Sequence, residues 1–446
     1  MRVLFATVPH PSHSLQLVPY AQALQNAGHE VRVALAPLGV SDMTEAGLTA
    51  VTFGDTIQHS VQNFAELSWI PNEAERAAYV EALRLDPFEA DQWDVFYQYF
   101  NFNCQMYLPE EPRPDVDGMI EFARDWKPDL VLWESWFPIG ALVARACGAA
   151  HARILLGPDL SGWASEIFAE RNSPAVEALG GNPLVKRLRQ VADRYGITVD
   201  DELMRADLTI DPLPPEIRLS RNISTLPVRG IPYQRGGVLP EFLHKPPTRP
   251  RVAVSFGMSV RLWQFGGDTR VPPVMEAVDG LDIEVVATLN ENQLASTPRV
   301  PDNVRIIEFL PLTQLLPTCD LLINHGAAGT FRAAEAAGIP QIIIDTQEPH
   351  RIVFSGEGEN VTVSNADRHT DSWLGAKLLA DRGVGVTINH LEQSAAEIRE
   401  QIQKLLTDES YKDNARAMQR AWMAKPGPAD IIPNLVELAE RHRSGS

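Results

Sequence analysis

Residues 3–36 read VLFATVPHPSHSLQLVPYAQALQNAGHEVRVALA, and this stretch decides the fold. Val3 to Val8 is an apolar run of strand length. From Leu15 to Asn26 the apolar residues Leu17, Tyr20, Ala21 and Leu24 recur at helical spacing, and Gly28 closes the segment. Glu30 to Ala36 returns as a strand. A β-α-β opening predicts a parallel sheet covered by helices.

Working outward, the alternation resumes with a strand at Leu130 to Trp133, a helix from Ile139 to Cys147 and a strand at His151 to Leu156. Between residues 57 and 112 it lapses into a helical insertion rich in aromatics: Phe64, Trp69, Tyr79, Phe88, Trp93, Phe96, Tyr97, Tyr99, Phe100 and Phe102. Helix packing explains such a cluster, and so does an apolar acceptor pocket or a partner-binding surface. A second helical patch covers 180–206. Pro212, Pro214, Pro215, Pro227, Pro232, Pro240, Pro246, Pro247 and Pro250 then punctuate the chain, as a domain linker does. Strand patterns restart at Val252–Phe256, Ile283–Ala287, Val304–Phe309, Leu321–Asn324 and Gln341–Ile344.

The predicted class is therefore α/β, with two Rossmann-like βαβ domains. The first spans 1–225 with its insertion. A linker follows at 226–250, the second domain spans 251–425, and a terminal helix at 426–446 packs back on the first. Two such domains are expected to face each other across a cleft, with ligands at the carboxyl ends of strands.

A chain of 446 residues with 44% hydrophobic content supports two cores. The formal net charge of -19 repels phosphate backbones and argues against a nucleic-acid partner. Cys104, Cys147 and Cys319 are odd in number and widely spaced, which fits a reducing compartment better than a disulfide framework. No signal-peptide core or membrane-length apolar run is present, so a soluble, cytoplasmic protein is expected. Asp115-Val116-Asp117 is a D-x-D, but it follows a Pro-rich acidic loop and reads as a solvated surface run. No zinc, P-loop or G-x-S-x-G spacing occurs.

Three places carry chemistry. Asn324-His325-Gly326-Ala327-Ala328-Gly329-Thr330 follows an apolar strand and opens a helix. Small residues let backbone amides approach an anion, and the helix N-terminus adds partial positive charge, which makes a diphosphate cradle. Tight strand-to-helix packing is the simpler alternative. Val8-Pro9-His10-Pro11-Ser12-His13-Ser14 sits where a dinucleotide-binding domain carries G-x-G-x-x-G. It holds two imidazoles and no glycine, so one of them can serve as a general base on a hydroxyl. Glu134, at the next strand end, can orient that base or can be a loop acid.

On these residues the chain resembles a family 1 glycosyltransferase of the GT-B fold, in the actinobacterial branch of macrolide aminodeoxysugar transferases, which includes the desosaminyltransferases. The resemblance spans essentially the whole length through Val18–Val33, Pro128–Glu134, Thr209–Pro215 and Pro311–Asp320, and is most specific at His325–Pro340. It implies inverting, metal-independent transfer of a deoxysugar from a TDP-sugar to a macrolide or polyketide hydroxyl, with no cofactor. His13 falls on the catalytic-base position with His10 as fallback, and Glu134 stands where relatives carry an aspartate. Gly257 and Ser259 match a donor-phosphate loop, and Leu310 the backbone contact to the pyrimidine. His325, Gly326, Ala328, Gly329 and Thr330 match the diphosphate turn. Ala327 replaces a usual glycine. A polar insertion at 346–370 places the sugar-contacting acid at Asp371, with Glu348 and Asp345 as alternatives. The resemblance also implies a P450-like helper protein docking on the 57–112 insertion. A homodimer stays open. Two rivals remain: a nucleotide-sugar epimerase on the same fold, and a catalytically silent module that binds nucleotide sugar or a partner.

Overall fold

The computed structural model describes residues 1–54, 72–258, 267–346, 352–355, 362–365 and 372–445. The chain forms two compact units, Met1–Gly230 with Pro426–Ser446, and Ile231–Lys425.

In the first unit β1 (Arg2–Ala6), β2 (Glu30–Leu35), β3 (Ala50–Thr52), β4 (Leu130–Glu134), β5 (Ala150–Ile154), β6 (Leu208–Asp211) and β7 (Thr225–Pro227) make one sheet in the order β3-β2-β1-β4-β5-β6-β7. Every pairing in it is parallel. β4 and β5 are buried along their whole length. That is why their sequences run apolar instead of alternating: helices cover both faces of a parallel sheet. The strand order reverses between β1 and β4, so a topological switch point opens at their carboxyl ends.

The first helix, Pro11–Asn26, begins four residues earlier than its apolar spacing predicts. His10 is its N-cap and Pro11 takes the first helical position, where a missing N–H costs nothing. Helices Pro87–Met106, Pro114–Trp126, Pro174–Ala178 and Pro183–Asp193 also begin on proline. Asp86 and Glu89 add a reciprocal capping box to the helix at Pro87.

Within the predicted insertion, helices Glu73–Leu83 and Pro87–Met106 are described. Tyr79, Trp93, Phe96, Tyr97 and Tyr99 are all buried there, so packing accounts for these five aromatics. Phe88 stays exposed, whereas Phe64 and Trp69 lie outside the described residues.

The D-x-D reading needs correction. Asp115 is buried and forms a forked pair with Arg113, Nε to Oδ1 and Nη2 to Oδ2 at 2.7 Å each. Asp117 accepts from the Tyr195 hydroxyl. Both belong to the first turn of helix Pro114–Trp126, where carboxylates complement the helix dipole. Their acidity serves the fold instead of solvation.

The last helix, Ile432–Gly445, belongs to the first unit, with Arg443 donating to Asp129 at 3.2 Å.

In the second unit β8 (Arg251–Ser255), β9 (Glu284–Ala287), β10 (Val304–Ile306), β11 (Leu321–Asn324) and β12 (Gln341–Asp345) precede a separate antiparallel pair, β13 (Ile352–Ser355) with β14 (Thr362–Asn365). β15 (Gly385–Asn389) returns to the main sheet, whose order is β10-β9-β8-β11-β12-β15, again all parallel. Val252, Val254, Ile323, Ile342 and Ile344 carry one core face against helices Val271–Val278 and Ala395–Thr407. The switch point here lies between β8 and β11. Two doubly wound parallel sheets are what the sequence predicts. Among the described residues no helix is long and apolar enough to cross a membrane.

Candidate active site

At the first switch point β1 runs out at Ala6 and delivers the His10–His13 turn, while β4 ends on Glu134. Glu134 is fully buried, and both of its oxygens are engaged. Oε1 accepts the Val8 backbone N–H at 2.7 Å, and Oε2 accepts from His13 Nδ1 at 2.7 Å. The carboxylate is thus locked from the backbone side. It holds the Nδ1–H tautomer of His13, which makes Nε2 the basic nitrogen. The His13 side chain keeps 25% of its surface exposed while Glu134 has none, so a reactant has access to the imidazole alone. A charged hydrogen bond inside protein also stabilises the imidazolium once it forms.

His10 plays a different part. Its Nδ1 accepts the Ser12 backbone N–H at 3.3 Å and lies 2.8 Å from Ser12 Oγ, so it caps the helix. Burial, with a contribution from His13, lowers its pKa from 6.5 to about 4. A neutral capping ring that resists protonation suits a general base less well than the carboxylate-paired His13 ring does.

This shift has a measurable consequence. Between pH 6.5 and about 4 the unfolded chain binds a proton at His10 that the folded chain refuses. Stability from this group is therefore intact above pH 6.5 and is lost as pH falls toward 4. His10→Asn keeps the cap and removes the titration. Urea unfolding at pH 7 and pH 5 should show a stability drop smaller than wild type's by about 2 kcal/mol. An equal drop in both proteins would refute the assignment.

At the second switch point β11 ends on Asn324, and helix Ala328–Ala337 starts four residues later. Asn324 is fully buried. Its Oδ1 accepts the Gly326 N–H at 2.7 Å, and its Nδ2 donates to Gln341 Oε1 at 3.1 Å. Gly326 therefore spends its amide inside the turn. Its value lies in geometry: φ is +83°, and a Cβ would lie 2.7 Å from Ser372 Cβ and 2.8 Å from Ser372 Cα. The first turn of the helix follows at Ala328–Thr330. Gly329 is exposed there, and no described atom lies within 4 Å of where its Cβ would stand. Thr330 is buried behind it.

His325 is 3% exposed and lies across Gly257, the residue two beyond β8. The structure thus brings Gly257, His325 and Gly326 together. Asp345, at the end of β12, accepts from Ser372 Oγ at 2.6 Å and so joins the same neighbourhood. Leu310 is buried in a core cluster with Leu312, Leu315 and Leu322. Ser259, Glu348 and Asp371 lie outside the described residues. Sequence reasoning placed Asn324 at the head of the motif but gave it no role of its own. The signal was an asparagine at a strand end two residues before a glycine, the pattern of a side chain that bonds its own backbone. Among the described residues no group of three or more His, Cys, Asp or Glu side chains is arranged to hold a metal ion.

Two doubly wound parallel sheets in one chain are the architecture of solved glycosyltransferases of the GT-B class. Two solved structures share the architecture. Spinosyn forosaminyltransferase SpnP matches with a TM-score of 0.77 and 33% identity over 99% of each chain. The glycosyltransferase VinC, in complex with dTDP, matches with a TM-score of 0.78 and 29% identity over 99% of this chain and 100% of its own. The aclacinomycin-T 2-deoxy-L-fucose transferase of Streptomyces galilaeus is 34% identical over 99% of this chain and 97% of its own length. The profile of the erythromycin biosynthesis protein CIII-like N-terminal domain matches residues 22–257, and that of the corresponding C-terminal domain matches 273–357 and 360–438. The chain belongs to the erythromycin biosynthesis protein CIII-like family of glycosyltransferases.

Proposed function

We propose that this enzyme transfers a deoxysugar, an aminodeoxysugar in the reading we favour, from a TDP-sugar to a hydroxyl of a macrolide or polyketide aglycone, with inversion and without a metal. The observation that carries the proposal is the 2.7 Å contact between His13 Nδ1 and a fully buried Glu134. Such a pair is what a weakly acidic alcohol needs and what a binding module has no use for. The relatives supply the substrate class: one is named for a 2-deoxy-L-fucose, one for forosamine, and one was solved with dTDP.

In the proposed step His13 Nε2 takes the proton of the acceptor hydroxyl as its oxygen bonds to the anomeric carbon. The bond from that carbon to the diphosphate oxygen breaks, and TDP leaves with the electron pair. A single displacement inverts the centre. Negative charge growing on the diphosphate is met by the first-turn amides of Gly329 and Thr330 and by the helix dipole. Asp345 and, beyond the described residues, Asp371 or Glu348 are the acids suited to a cationic aminosugar.

The test is incubation with a panel of TDP-deoxysugars and macrolide or polyketide aglycones, with and without a P450-like helper, following product mass. A mass gain of one deoxysugar on an aglycone, with a rate unchanged by EDTA, is expected. Epimerised donor with no acceptor present would favour the nucleotide-sugar epimerase. TDP binding without turnover under any condition would favour a silent module.

A further inference from the structure

The hydrogen bond to Glu134 fixes one atom of the His13 ring but not its plane. That bond alone would let the imidazole turn about the Nδ1···Oε2 axis, carrying Nε2 away from an incoming hydroxyl. The structure adds ring contacts: His10 lies edge-on to His13 at 6.3 Å and 86°, and an indole packs on it as well. Trp136 packs edge-to-face with His13, with ring centroids 5.9 Å apart and planes at 73°. The indole also meets Tyr99, at 4.5 Å and 83°. Tyr99 is buried and anchored in turn, its hydroxyl donating to Ser135 O at 2.9 Å.

The turn that carries the indole is pinned as well. Ser135 N–H donates to Ile154 O at 3.0 Å, and Phe137 N–H to Glu134 O at 2.9 Å. Glu134 and Trp136 therefore reach His13 from one rigid strand end. The brace behind them comes from helix Pro87–Met106, in the region where the α/β alternation lapses.

We propose that Trp136, braced by Tyr99, is a positioning residue that fixes the plane of the His13 imidazole and so the direction of its proton-accepting nitrogen. This rests on the reading of His13 as the base. Aromatic pairs at such distances and angles prefer edge-to-face geometry, so the indole restores the ring orientation after each proton transfer. Catalysis is sensitive to the aim of a base, and a misplacement near 1 Å costs on the order of 100-fold.

The test is steady-state kinetics on Trp136→Leu, Trp136→Phe and Tyr99→Leu, with His13→Gln alongside. Trp136→Leu should lower kcat by about 10- to 100-fold with the KM for the TDP-sugar unchanged. Trp136→Phe keeps a planar ring and should recover most of the loss. Tyr99→Leu removes only the brace and should shift kcat in the same direction by less, and it carries the test if Trp136→Leu fails to fold. The proposal is overturned if Trp136→Leu and Tyr99→Leu keep full kcat, or if Trp136→Leu raises only the acceptor KM, as a mere wall of the acceptor site would. Failure of the base reading is separately visible, because His13→Gln would then retain turnover.

Discussion

Replacing His13 with glutamine lowers turnover by about 100- to 10,000-fold and leaves TDP affinity within a factor of about two. The size follows from what a positioned base contributes when an alcohol must lose its proton in the transition state. Glutamine is the informative substitution because its amide can still donate to Glu134 Oε2, so the buried carboxylate is not stranded. Alanine would leave that acid without its partner, and an unpaired buried charge costs stability of its own. Glu134→Gln should fall short of His13→Gln but in the same direction. Glu134 accepts two hydrogen bonds, from Val8 N–H and from His13 Nδ1. A glutamine side chain has a single carbonyl oxygen for both, so one bond breaks and the tautomer is no longer enforced. Kinetics with saturating donor, together with calorimetric titration of TDP, check both variants. Intact turnover in His13→Gln would remove the base from the mechanism. Lost TDP binding would show that the substitution damaged more than the base.

The fold was legible because apolar runs in parallel sheets announce themselves. Val3–Val8 and Leu130–Trp133 are buried on both faces, so neither needs an alternating pattern to be recognised. Two places in the chain were legible from topology: His13 and Gly329 each follow a strand that borders a switch point. What the sequence could not supply was the division of labour among neighbours. His10 and His13 are equivalent as letters, yet one ring caps a helix and the other meets a carboxylate 121 positions away. Gly326 looked like an amide donor, but the side chain two residues earlier takes that amide, and only coordinates show which lone pair reaches it. Trp136 follows Glu134 by two residues and reads as one more core aromatic. Its role depends on Tyr99, which comes from a segment whose packing has no period in common with the sheet. The Asp115–Asp117 pair misled for the same reason, since burial beside Arg113 is set by tertiary structure and not by the loop before it.

The glycines of the second unit separate a packing role from a binding role, and the two should respond oppositely to the same added methyl group. Gly257 has φ +79°, and a Cβ there would lie 2.5 Å from His325 Cε1 and 2.6 Å from Nε2. The ring cannot simply yield, because His325 is itself buried. Gly257→Ala therefore combines backbone strain of about 1–2 kcal/mol with displacement of His325. It should lower the unfolding midpoint and weaken TDP binding together, by about 10-fold or more. Gly329→Ala meets neither obstacle among the described residues: none of their atoms lies within 4 Å of its added Cβ. Alanine in the first turn of a helix is favoured over glycine by about 0.5–1 kcal/mol, so stability should hold or rise. The methyl group would nonetheless occupy the open space above the amides proposed to receive the diphosphate. Gly329→Ala should thus lose TDP affinity by about 10-fold or more with no loss of stability. Thermal unfolding and TDP titration on the two variants read out both quantities. Full TDP affinity in a stable Gly329→Ala would move the leaving-group site away from this helix, whatever Gly257→Ala does.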